Sequence, residues 1–111
     1  MKQVLVKVDW ASPEQGGRSA LPSGGDEYVG VSTFDETAIQ AWSMRIKWVD
    51  KESEPSVWYG LASFLFDEAP YHLLYVGNSF DLIEGRKTVA RTSVISSAKV
   101  VEAIVKLALA A

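Results

Sequence analysis

An all-β fold, an antiparallel closed barrel of about six strands followed by a C-terminal helix, is the architecture this sequence predicts. Three observations lead there. Apolar residues recur at period two in several short runs, as in strands with one buried face. Turn-forming residues separate those runs at spacings typical of sandwiches and barrels. In the last fifteen residues the period changes to three and four, which is helical. At 111 residues the chain supports a single core, which assigns the barrel to residues 1–95 and a helical extension to 96–111.

Taken in order, Val4, Val6, Val8 and Trp10 alternate with Lys7 and Asp9 to form a first half-buried strand. Residues 11–27 hold two prolines and four of the eight glycines, so they read as a long loop. Tyr28, Gly30, Ser32 and Phe34 alternate in a second strand that stops at Asp35 and Glu36. Trp42, Met44, Ile46 and Trp48 share a face opposite Ser43, Arg45 and Lys47, which makes a third. A fourth runs from Val57 to Phe66, with Gly60 marking a bulge or a bend at a barrel corner. The apolar runs at 71–76 and 79–85 are separated by Gly77 and Asn78, and the run at 86–96 follows a turn at Glu84 and Gly85. In the tail, Val100, Val101, Ile104 and Val105 recur at helical spacing. Ser96 or Ser97 supplies the cap, and Glu102 with Lys106 forms an i,i+4 pair.

Composition excludes several chemistries. With no cysteine and one histidine, His72, the chain has neither thiol chemistry nor a cysteine- or histidine-built metal site. The formal charge of −3 opposes general attraction to phosphate. No GxxxxGK followed by Ser or Thr is present, so the chain is expected neither to bind nor to hydrolyse GTP. Gly16, Gly17 and Arg18 resemble an anion nest, yet adjacent loop glycines more often just permit positive φ. His72 reads as a strand-surface histidine and not as a base. The acidic pairs Asp26-Glu27, Asp35-Glu36 and Asp67-Glu68 read as solvated loop edges. Trp42 and Trp48, on the face of Met44 and Ile46, read as core residues and not as a stacking platform; Trp10 and Trp58 are left open. Arg86, Lys87 and Arg91 form the one basic concentration. No catalytic residue, metal ligand or cofactor is expected.

Two motifs, in order, resemble the C-terminal barrel, domain 3, of bacterial elongation factor Tu and its stand-alone relatives. The first strand followed by Pro13-Glu14-Gln15-Gly16-Gly17-Arg18 resembles that domain's opening strand and EEGGR loop. The stretch from Phe80 to Ala90 resembles the family's FxLREGGRTVGxGxV without a gap. Arg86 stands where the family has the second turn glycine, and Ala90 and Thr92 replace later ones. The resemblance implies a six-stranded antiparallel barrel without nucleotide. It further implies contacts to the factor's middle barrel, to the exchange factor and to the T arm of aminoacyl-tRNA. It places Arg18, Gly85, Arg86 and Lys87 on the partner-binding surface. The expected function is therefore a non-enzymatic cytoplasmic module that binds a protein or other macromolecular partner, tRNA being implied only by the resemblance. The alternative is a small acidic immunity or antitoxin-type protein. The tail either covers a barrel mouth or pairs with a second copy, and a homodimer is preferred; no membrane contact is expected.

Overall fold

The computed structural model describes residues 2–18, 22, 25–34, 41–51 and 54–110. Six strands, β1 (Val4–Trp10), β2 (Glu27–Thr33), β3 (Ala41–Asp50), β4 (Val57–Phe64), β5 (Ser79–Glu84) and β6 (Lys87–Ser96), precede one helix, α1 (Ala98–Ala110). Every pairing is antiparallel, and the order β1-β4-β3-β2-β5-β6 closes on itself through β1 and β6. Among the described residues every strand is therefore paired on both sides, most briefly where β2 meets β5.

Alternation selects the inward face. Val4, Val6, Met44, Ile46 and Phe80 are all buried, each flanked along its strand by residues that reach water. Because the strands alternate in direction, the residues at β1's end, β2's start, β3's end and β4's start share one end of the barrel. There Trp10, Tyr28, Trp48 and Trp58 stack on each other, with ring centroids 4.9–6.3 Å apart, and plug the mouth. Trp10 and Trp58 are thus core residues, while Trp42 and Trp48 are half-buried against the core. At the other end Phe34, Phe64 and Phe80 meet, with Trp42 and Tyr71 set against Phe64.

Gly60 sits in regular β4, and the bulge lies across from it, on β3 between Trp48 and Asp50. A Cβ at Gly60 would come within 2.5 Å of Ile46 Cγ2 and 2.9 Å of the Lys47 carbonyl oxygen, so the glycine makes room for the neighbouring strand.

The structure corrects two expectations. Strand β4 ends at Phe64, two residues early. The apolar run at 71–76 is not a strand: Tyr71–Leu73 is a 3₁₀ turn, in which Leu73 N–H donates to the Pro70 carbonyl and Leu74 N–H to that of Tyr71. The Asn78 side-chain amide holds the Leu73 carbonyl at 2.7 Å. Leu73 and Leu74 are buried, so the run's apolarity serves a cover over the core. His72 accordingly lies exposed in a turn, not on a strand. Asp35 and Glu36 fall outside the described residues.

The helix begins where Ser97 accepts the Val100 N–H at 3.3 Å, which satisfies one of the orphan donors of its first turn. Among the described residues no helix is long and apolar enough to cross a membrane.

Candidate functional site

The mouth plugged by Trp10, Tyr28, Trp48 and Trp58 is also where the two motifs meet. The loop after β1 opens with a 3₁₀ turn, Pro13–Gln15, held by a reciprocal cap. Ser12 Oγ accepts the Gln15 N–H, and Gln15 Oε1 accepts the Ser12 N–H. Gly16 ends the turn in a left-handed conformation, φ 86°, which only glycine adopts cheaply. Its N–H donates to Pro13, and that of Gly17 donates to Ser12. Both amides are therefore spent within the loop, so the paired glycines shape the chain and form no anion nest. Gly17 is buried against Ala11, whose carbonyl oxygen would lie 2.2 Å from an added Cβ. That close packing directs the following residue, Arg18, across to β5.

Arg18 donates from Nη1 to Glu84 Oε2 at 2.7 Å, and the Tyr28 hydroxyl donates to the same oxygen at 2.7 Å. Glu84 immediately precedes the two-residue turn Gly85-Arg86, in which Gly85 takes φ 62°, before Lys87 opens β6. Three of the four expected site residues, Gly85, Arg86 and Lys87, form the fully exposed hairpin tip. The fourth, Arg18, is tied to its base. The network matters because β2 and β5 share only three paired positions, Val31, Ser32 and Thr33 opposite Ile83, Leu82 and Asp81. Beyond them the strands separate, and Tyr28, Glu84 and Arg18 bridge the gap.

Tyr28 and Glu84 were not among the expected site residues. Tyr28 read as an alternating strand position, and its ring lies over Gly30, where an added Cβ would approach it to 2.5 Å. Glu84 read as part of the turn, with nothing local to indicate its partners. The third basic residue of the cluster, Arg91, points elsewhere and pairs with Asp81 at 3.0 Å. Of the acidic pairs, Glu27 meets Arg45 at 3.5 Å, while Asp67 and Glu68 are solvated. Among the described residues no group of three or more metal-ligating side chains converges.

Burial, and then the hydrogen bond to the Glu84 carboxylate, push the Tyr28 hydroxyl well above the usual phenol range. The neutral phenol is thus favoured in the folded state. Its contribution to stability is complete below the unfolded value of 10.0 and is lost as pH rises beyond it. Replacing Tyr28 with Phe is expected to cost about 1.5 kcal/mol at neutral pH, at the low end for a bond to a charged acceptor because the carboxylate is partly solvated. The variant should lose less further stability than wild type between pH 10 and 11.5, measured by urea denaturation.

Surface clefts near this end are shallow. One of about 340 Å³ is lined by Asp26, Trp48, Val49, Asp50 and Lys51, and Lys51 already crosses it to the Gly25 carbonyl at 3.2 Å. Another, of about 360 Å³, lies between Asp9, Gln15 and Arg91. Neither has the enclosed, mostly apolar form of a small-molecule site. The exposed hairpin tip supported by Arg18 and Glu84 is the candidate site. No protein-family model, curated protein or solved structure matches this chain.

Proposed function

We propose that the chain is a non-enzymatic binding module, a stand-alone barrel resembling domain 3 of elongation factor Tu, which engages a protein partner through the tip formed by Gly85, Arg86 and Lys87. The observation that carries this reading is the 2.7 Å contact of Arg18 with Glu84. It joins the two motif segments, 66 residues apart, at one end of the barrel, the arrangement that a shared binding surface requires. Arg18 and Tyr28 clamp the base of the hairpin, so the tip is presented in one orientation and little ordering entropy is lost on binding. Two adjacent cations on a rigid turn suit an acidic protein surface. The net charge of −3 works against the many phosphate contacts that tRNA would need.

A photoreactive benzoylphenylalanine at position 86 should cross-link the partner in cells, and the purified partner then allows direct measurement. Arg86→Glu with Lys87→Glu is expected to weaken that complex at least tenfold, mainly through the association rate and more strongly at low salt. Unchanged affinity in the double variant refutes the reading. Micromolar binding of aminoacyl-tRNA that the same variant abolishes would assign the tip to RNA instead.

A further inference from the structure

At the end of the barrel opposite the hairpin tip, α1 is docked only by its first turn. Val101 is 8% exposed and Ala98 packs against the core, but every residue from 102 to 110 is exposed. The helix thus leaves the barrel before it can seal the notch between its own root, the start of β1 and the 3₁₀ cover, and a cavity of about 390 Å³ remains there. Its walls are Val4, Leu74, Ala98 and the Tyr71 ring. Val4 and Leu74 are core residues, held by the barrel and not by a loose loop. The Tyr71 hydroxyl donates to the Phe64 carbonyl at 3.2 Å, which fixes that ring as a wall and engages its polar atom elsewhere. The recess is therefore apolar, preformed and of a size that suits a small ligand.

Charge stands around it on exposed side chains. Lys2, just before β1, and Lys99, in the first turn of α1, line the cavity from two different elements. Among the described residues neither takes part in an ion pair. Lysine suits such a place, because its stem lies along apolar surface while the ammonium stays in water. The third charged residue of the lining, Glu102, has Lys106 four residues further along the helix, the spacing at which opposite charges offset each other. An excess of positive charge is left beside an apolar recess.

We infer that this notch binds a monocarboxylate with a short aliphatic chain. The chain lies against Val4, Tyr71, Leu74 and Ala98, and the carboxylate meets Lys2 and Lys99. Each half of the ligand answers one feature of the site. Burial of the chain supplies most of the affinity, while the two ammonium groups select the anion over an amine or an alcohol of the same length. An anion without the chain would leave the recess empty and gain only the weak attraction of two solvated lysines.

Titration of the labelled protein with octanoate, followed by amide chemical shifts, should give a Kd on the order of 0.1–1 mM, as suits a ligand of about ten non-hydrogen atoms. The largest shifts should fall at Val4, Leu74, Ala98 and Lys99. Octylamine and 1-octanol should bind at least fivefold more weakly. Lys2→Gln with Lys99→Gln should weaken octanoate at least fivefold without change in melting temperature, since both side chains are exposed. Ala98→Leu, which fills the recess, should abolish binding. The Arg86→Glu, Lys87→Glu variant should bind octanoate as the wild type does, because the tip lies at the other end of the barrel. Absence of shifts at 5 mM octanoate, equal affinity for octylamine, or unchanged affinity in the double glutamine variant would each overturn the inference. So would shifts centred on residues 104–109, the mark of adsorption to the exposed helix.

Discussion

Replacing Phe80 with alanine is expected to destabilise the protein by about 3–5 kcal/mol. Phe80 is fully buried and its ring centroid lies 4.7 Å from that of Phe34, which in turn lies 5.9 Å from Phe64. Phe80 comes from β5 and Phe34 directly follows the neighbouring β2, while Phe64 comes from β4, on the far side of β3. They are the contact across the barrel interior at the end that carries the helix. Truncation removes apolar area and also leaves a cavity, and the walls cannot collapse into it because each strand is hydrogen-bonded on both sides. Urea denaturation at 25 °C measures the effect. A loss below about 1 kcal/mol would mean that the interior relaxes freely and that the barrel is not closely packed.

Gly60→Val should cost nearly as much, about 3 kcal/mol, by the opposite mechanism. The added Cβ would stand 2.5 Å from Ile46 Cγ2, 2.9 Å from the Lys47 carbonyl oxygen and 3.1 Å from the Trp48 ring. Ile46 is fully buried and the Lys47 carbonyl belongs to the β3 backbone, so neither yields easily. Trp48 is the group best able to move, and its movement would open the aromatic plug formed with Trp10, Tyr28 and Trp58. The variant should therefore show changed tryptophan fluorescence in the folded state as well as a lower melting temperature. Gly60→Ala separates the causes, since it brings the same Cβ without the branches. If alanine is tolerated within about 0.5 kcal/mol, β3 gives way to a Cβ and only the branches of valine are excluded.

The alternation of Val4 to Trp10 and of Trp42 to Trp48 made two strands and their inward faces legible from residue order alone. A period-two pattern has one buried side whichever strands become its neighbours. The helix was legible for the same reason, with Ser96 or Ser97 as its cap, of which the structure uses Ser97. Local pattern failed at residues 71–76, where an apolar run after Pro70 satisfied strand statistics. Three-dimensional context made it a 3₁₀ turn, because a barrel already closed by six strands needs Leu73 and Leu74 as a cover and has no edge for a seventh.

The candidate site divides in the same way. A turn was readable at Glu84 and Gly85, with the charge of Arg86 and Lys87 following it, because a two-residue hairpin is encoded by its own residues; the structure sets it one residue later, at Gly85 and Arg86. That Arg18 reaches Glu84, and that Tyr28 shares the same oxygen, followed only from the strand order, which sets β2 beside β5 and folds the loop after β1 across their separating ends. What the sequence determined by itself is periodicity, turn chemistry and caps, all of which act within a few residues. What only the tertiary structure decided is which distant side chains share a carboxylate, and which half of an apolar helix is left uncovered, since both depend on how the barrel closes.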